Sequence, residues 1–195
     1  MGIPVQGIDA EILDDEGAPV TDGRPGTLAL RVGWPSMFAA YLNHPEAYDS
    51  RFSGGFYLTG DKAHRDRDGY YWFVGRLDDV INTAGHLVSP FEVESSLLGL
   101  PEVAESAVVG APDPLLFEKV VAFVRLKPSA EPSPELDLRI RTWVANKVST
   151  IATPQDVVFV PAIPKNASGK IMRRVLRARY LGEDPGDLST LEEGL

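Results

Sequence analysis

The chain has 195 residues, no cysteine, and 19 Lys and Arg against 28 Asp and Glu, a formal charge of −9. Disulfides and thiolate chemistry are therefore excluded, and the sign of the charge argues against a general binder of nucleic acid or anionic membrane. Hydrophobic residues make up 44% and charged residues 24%, the balance of a soluble protein able to bury a core. The first ten residues show no basic stretch followed by an apolar run, and no apolar segment approaches the ~20 residues needed to span a bilayer, so a cytoplasmic protein away from membranes is expected.

Residues 7–13 and 27–32 alternate apolar and polar positions and read as strands, separated by turn clusters at 14–17 and 22–26. A stronger hairpin follows. Residues 56–58 lead to 61–65, then the turn Asp66-Arg67-Asp68-Gly69 and the aromatic strand 70–74. After Gly75 the pattern becomes mixed. Ser89-Pro90-Phe91-Glu92 is a helix start, with Ser as N-cap, Pro at the first position and Glu at the third, and that helix should stop near Gly99. Residues 104–110 and 120–126 are apolar runs of strand length. Ser133-Pro134 opens a second helix carrying Leu136, Ile140, Trp143, Val144 and Val148 on one face. A short strand at 157–160, a polar loop to Lys170 and a basic helix from 171 to about 180 complete the pattern. Residues 181–195 hold five acids and no base, and a poorly ordered tail is expected there. The predicted organisation is thus α+β: a β-rich portion over 1–77, a small α+β unit over 78–180, and an acidic tail over 181–195.

Five residues stand out for chemistry. Asp61 and Arg76 flank the strong hairpin, and read alone they are either a surface ion pair worth at most about 1 kcal/mol or a carboxylate and guanidinium aimed at vicinal hydroxyls. Asp78 lies where the composition changes, as either a solvated acidic turn or a hinge. Gly85 is either a plain turn glycine or a site of close backbone approach by a ligand. Lys170 ends the polar loop Pro164-Lys165-Asn166-Ala167-Ser168-Gly169, where a lysine has long reach and a compact charge. A Walker phosphate loop is excluded, because Pro164 stands where glycine is required and Ile171 where Ser or Thr is required. Lys165, Lys170, Arg173, Arg174, Arg177 and Arg179 form a run of six bases without an acid, which reads as a solvated basic face.

Taken in series over about 115 residues, four segments resemble the C-terminal motifs of the AMP-forming acyl-CoA synthetase, adenylation-domain and luciferase superfamily. They are Tyr57-Leu58-Thr59-Gly60-Asp61, Gly75-Arg76-Leu77-Asp78-Asp79-Val80-Ile81, Asn82-Thr83-Ala84-Gly85-His86, and Pro164 to Lys170. Gly33-Trp34-Pro35-Ser36-Met37, Arg173-Arg174-Val175-Leu176-Arg177 and Gly186-Asp187-Leu188-Ser189-Thr190 are similar to acetyl-CoA synthetases in particular. The resemblance implies the C-terminal part of a ligase that uses ATP, Mg2+ and CoA, inactive without the N-terminal portion that holds the adenine, triphosphate and acyl pockets. It implies ribose binding by Asp61 and Arg76, a hinge at Asp78, a border of the CoA tunnel at Gly85, and charge stabilisation at the α-phosphate by Lys170. It also implies acetylation and deacetylation of Lys170 by protein partners, with the loop and basic helix as a docking surface. The alternatives are a non-catalytic fragment recognised through those same residues, and an adenylation domain that loads a carrier protein.

Two places depart from the family pattern. Leu87 stands where acetyl-CoA synthetases carry an arginine, and Leu115-Leu116-Phe117-Glu118 replaces the usual Arg-Gly pair after Pro112-Asp113-Pro114. The Ser/Thr/Gly-rich loop that holds ATP phosphates in this family is not found in the sequence.

Overall fold

The computed structural model describes residues 1–21 and 23–191. Asp22, at the head of the expected 22–26 turn, and residues 192–195 of the acidic stretch lie outside the described residues. The chain divides into two compact units, the first Met1–Asp78 and the second beginning at Asp79.

The first unit contains β1 (Ala10–Leu13), β2 (Gly26–Arg31), α1 (Pro45–Asp49), β3 (Phe52–Ser53), β4 (Phe56–Arg65) and β5 (Tyr71–Arg76). All pairings are antiparallel and centre on β4, which has β2 along one edge and β3 then β5 along the other. Neighbouring residues point to opposite faces, as strand geometry requires. Ile12, Leu28, Ala63 and Tyr71 make one small core, while Leu13, Ala29 and Phe56 make another. β1 starts three residues later than expected because Gln6 and Gly7 form a turn. The sequence reading contained no α1. That helix has no side-chain cap and buries no residue, and it is held instead by aromatic contacts. Tyr48 lies 5.4 Å from Phe38 and 4.8 Å from Phe52, centroid to centroid.

The second unit contains β6 (Ile81–Thr83), β7 (His86–Val88), α2 (Pro90–Leu97), β8 (Val103–Asp113), β9 (Phe117–Leu126), α3 (Pro134–Lys147), β10 (Asp156–Phe159) and α4 (Arg173–Leu181). β9 is the spine: it pairs antiparallel with β8, parallel with β10, and at Thr83–Phe117 with β6. Its alternation places Val120, Ala122 and Val124 against the core of α2 and α3, and Val121 and Phe123 against the core that includes Leu176 of α4. Both faces are covered, which is why β9 reads as a continuous apolar run.

Both expected caps form. Ser89 Oγ accepts from the Glu92 amide at 3.4 Å, and Ser133 Oγ accepts from the Leu136 amide at 3.2 Å. On α3, Leu136, Ile140 and Val144 are buried, and Trp143 Nε1 donates to the Ser96 carbonyl of α2 at 2.8 Å. The architecture is α+β, as expected, and among the described residues no helix is long and apolar enough to cross a membrane.

Two expectations at the C-terminal end are corrected. α4 starts at Arg173 rather than 171, because Ile171 pairs across the preceding loop with Lys165. The stretch after α4, expected as a poorly ordered tail, doubles back as far as Leu191. The Arg174 guanidinium donates to the carbonyls of Pro185 and Asp187, the Ala167 amide donates to the Thr190 carbonyl at 3.2 Å, and Asn166 bridges to Leu191. Within the stretch, Asp184 Oδ1 accepts the Gly186 amide at 2.9 Å and the Asp187 carboxylate accepts from Ser189.

Candidate functional site

The β4–β5 hairpin sets the first group of residues. Asp66 closes its turn by accepting the amides of Asp68 at 3.0 Å and Tyr70 at 2.9 Å, and Trp72 Nε1 at 2.7 Å. Those hydrogen bonds, the one from Trp72 first, hold the Asp66 carboxyl below its ordinary range. The turn fixes the register from Arg65–Tyr71 to Ala63–Phe73, and a β-bulge between Lys62 and Ala63 then shifts it by one residue so that Asp61 pairs with Arg76. Arg76 Nη1 then donates to Asp61 Oδ1 at 3.0 Å and to the Thr59 carbonyl at 3.2 Å, while its Nε donates to Asp78 Oδ1 at 3.3 Å. Burial opposes the guanidinium charge, but Asp78 and Asp61 outweigh it and raise the Arg76 pKa above its ordinary value.

Thr59 and Gly60 shape this corner. Thr59 Oγ1 donates to the Leu28 carbonyl at 2.9 Å and accepts from the Asp61 amide at 3.1 Å. Gly60 has φ +78°, and a Cβ there would lie 2.8 Å from Arg76 Nη2 and 3.1 Å from Nη1 of Arg51. Glycine is thus required twice, by backbone conformation and by the approach of two guanidiniums. Arg51 was not singled out in the sequence, since no local pattern links it to a residue nine positions away. Asp61, Arg76 and Asp78 are brought together, with the second Asp61 oxygen free of hydrogen bonds among the described residues.

Gly85 and Lys170 sit on the second unit. Ala84 (φ +50°) and Gly85 (φ +80°) form the two-residue turn of the β6–β7 hairpin, the left-handed pair that matches strand twist. A Cβ at Gly85 would meet nothing within 4 Å, so its glycine is required by φ and faces open space. Glu118 braces this hairpin by accepting the Asn82 amide at 2.9 Å across 36 positions of sequence. The two departures from the family pattern also meet here. Phe117 pairs with Thr83, the Ala84 amide donates to the Leu116 carbonyl at 2.8 Å, and Leu87, Leu115 and Phe117 are all exposed. These exposed side chains make this edge of the sheet apolar.

Lys170 lies at the end of a tight loop organised by one side chain. Asn166 Oδ1 accepts from the Ser168 amide at 3.1 Å, Ser168 Oγ at 2.8 Å and the Lys170 amide at 2.9 Å. The Lys170 side chain is exposed, and among the described residues no ion pair holds its ammonium.

The neighbouring bases expected as a solvated face are partly tied down, while Arg174, Arg177 and Arg179 stay exposed. Lys165 Nζ pairs with Glu105 at 3.0 Å, Arg173 with Glu94 at 2.8 Å and Asp79 at 3.2 Å, and Arg177 approaches Glu118 at 4.0 Å. Arg174 is spent on the carbonyls of Pro185 and Asp187. Their partners lie up to 94 positions away, so sequence periodicity showed only the cations.

Residues 92–170 match the family model described as AMP-binding enzyme C-terminal domain. The acetyl-coenzyme A synthetase of Bacillus subtilis (strain 168) is 47% identical over 194 residues, covering 99% of this chain and 34% of that protein. That of Pasteurella multocida (strain Pm70) is 44% identical over 199 residues, covering 97% of this chain and 30% of its own. Among solved structures, the anthranilate CoA ligase AuaEII in complex with anthranoyl-AMP gives a TM-score of 0.81 at 38% identity, covering 93% of this chain and 34% of that one. The chain spans about a third of the length of the curated relatives it matches. With four motifs in order, and with the fold and the matches agreeing along nearly all its length, the chain belongs to the AMP-binding, acyl-adenylate-forming enzyme family and carries that family's C-terminal domain.

Proposed function

We propose that this chain works as the C-terminal part of an AMP-forming ligase that joins acetate, or another short carboxylate, to CoA. One observation carries the reading: its similarity to acetyl-coenzyme A synthetases extends over 99% of the chain and takes in every candidate residue. In the first step a carboxylate oxygen attacks the α-phosphorus of ATP, the bond to the bridging oxygen breaks, and pyrophosphate leaves. In the second the CoA thiol loses its proton and attacks the acyl carbon, and AMP leaves with the bonding pair.

Each residue has a role in this scheme. The free Asp61 oxygen accepts from ribose hydroxyls, while Arg76, already oriented by Asp61 and Asp78, donates to the same sugar. Lys170, exposed and without an ion pair among the described residues, brings its ammonium to the negative charge that builds on the α-phosphate oxygens. Asp78, the last residue of the first unit, is the hinge between the two half-reactions. Gly85 borders the passage of the CoA arm, and its open face suits that role. Mg2+ enters with ATP as part of the nucleotide substrate. Among the described residues no group of three or more His, Asp or Glu side chains gathers to hold it.

An ATP–pyrophosphate exchange assay with acetate tests the reading. The full-length ligase should exchange label and these 195 residues alone should not; exchange by the 195 residues alone contradicts it.

A second reading adds regulation to the same residue, in a cytoplasmic enzyme. The exposed Lys170 ammonium favours acetylation by a protein acetyltransferase, reversed by a deacetylase, because acetylation removes the charge the first step needs. Arg173 is held by Glu94 and Asp79, while Arg174, Arg177 and Arg179 stay exposed on α4 beside the loop, where such an enzyme could contact them. Mass spectrometry after incubation with acetyl-CoA and such an enzyme should find Lys170 labelled; labelling confined to other lysines sinks this reading.

A further inference from the structure

The loop that carries Lys170 is pinned at both ends. At its start, Lys165 Nζ meets Glu105 Oε1 at 3.0 Å, and Arg125 Nη2 reaches that same oxygen at 2.9 Å. Three residues beyond Lys170, Arg173 makes a fork onto Glu94. Its Nε and Nη2 donate to Oε1 at 3.2 and 3.0 Å, and Nη2 also donates to Oε2 at 2.8 Å. The third nitrogen, Nη1, reaches Asp79 Oδ2 at 3.2 Å.

These anchors are built into the body of the unit. Glu94 is 6% exposed, on the inner side of α2, and its Oε1 also accepts from the Val108 amide of β8 at 2.8 Å. Desolvation raises the Glu94 pKa, and the hydrogen bonds and charge of Arg173 oppose it. Arg173 therefore fixes the start of α4 to a buried point and, by its third nitrogen, to the residue that directly follows Asp78. A planar fork supplies that geometry where a lysine point charge does not.

We propose that Arg173 is a positioning residue for Lys170: by holding Asp79 and Glu94 together it ties the lysine loop to the segment that leaves the hinge. The inference rests on the assignment of Lys170 and Asp78 under Proposed function. Lys170 then travels as a fixed extension of the hinge's exit, with Asn166 setting the last few ångströms of its course. Small displacements matter at this point. A 1 Å misplacement of a charge-stabilising group costs up to about 100-fold in rate.

The test compares the two half-reactions in the full-length ligase carrying Arg173→Gln. ATP–pyrophosphate exchange should lose ~10- to 100-fold in kcat with the KM for ATP within about twofold, and acyl transfer from supplied acyl-adenylate to CoA should stay within about twofold. A fall of both half-reactions by the same factor, or an unchanged exchange rate, overturns the positioning role. If Arg173→Gln fails to fold, Asp79→Asn, which leaves the Glu94 fork in place, carries the test. It should slow exchange ~3- to 10-fold with transfer unchanged, and equal loss or no loss again overturns the proposal. Lys170→Ala measured alongside separates the two levels. Loss of exchange in Lys170→Ala but not in the Arg173 or Asp79 variants overturns positioning alone, whereas unchanged exchange in Lys170→Ala overturns the reading beneath it.

Discussion

Asn166 and Lys170 are joined in both directions: the Asn166 amide donates to the Lys170 carbonyl at 2.9 Å, and the Lys170 amide donates to Asn166 Oδ1 at 2.9 Å. The backbone of the candidate catalytic lysine is thereby held while its side chain remains free to reach. Sequence inspection marked the loop but gave Asn166 no part in it. The Asx-turn chemistry of asparagine, four positions before the lysine, was the signal available.

Asn166→Ala removes the acceptor for three donors in an exposed loop. Stability should change by no more than about 1 kcal/mol, since the site is on the surface. Exchange activity of the full-length ligase should fall ~10-fold through kcat, as the lysine loses its fixed departure point. Steady-state kinetics with a thermal melt check this; a large drop in Tm with kcat intact would show a structural role only.

Gly60→Ala places a methyl group 2.8 Å from Arg76 Nη2 at a φ of +78°. The left-handed backbone alone costs about 1–2 kcal/mol for a residue with a Cβ. Displacing Arg76 from Asp61 should also weaken nucleotide binding, raising the KM for ATP several-fold. Denaturant unfolding and ATP titration of the exchange reaction measure the two effects. Unaltered values in both would remove Gly60 from the Asp61–Arg76 corner.

Asp156 joins three elements, since it accepts Lys119 Nζ of β9 at 2.7 Å and Tyr180 Oη of α4 at 2.6 Å while itself opening β10. The hydrogen bond from Lys119, then that from Tyr180, lowers its pKa below the ordinary 3.8. A depressed carboxylate contributes stability above its unfolded pKa and loses it as pH falls through the folded value. Asp156→Asn should therefore be less stable at pH ~7 and show a shallower decline in stability below pH ~4. Urea unfolding across that range decides it, and parallel curves for the two proteins would contradict the assignment.

Much of the fold was legible because its signals are local. Ser89-Pro90 and Ser133-Pro134 announced α2 and α3 through caps that form as written, and Asp66 to Gly69 announced the hairpin that sets Asp61 against Arg76. What stayed hidden is long-range. α1 has no side-chain cap and no buried residue, so apart from Pro45 and Glu46 at its start nothing local marked it. The acidic stretch after α4 looked unstructured because its ties run through backbone carbonyls to Arg174, which composition does not display. Likewise the union of Asp79, Glu94 and Arg173 spans 94 positions, and only the fold brings it together.

The ammonium of Lys170 meeting charge on a nucleotide phosphorus is the claim on which the rest depends. Lys170→Ala in the full-length ligase, assayed for ATP–pyrophosphate exchange and for acyl transfer from supplied adenylate, measures it directly. The expected result is an exchange rate lower by ~100- to 1,000-fold with acyl transfer nearly intact. Exchange at the unmutated rate would contradict it.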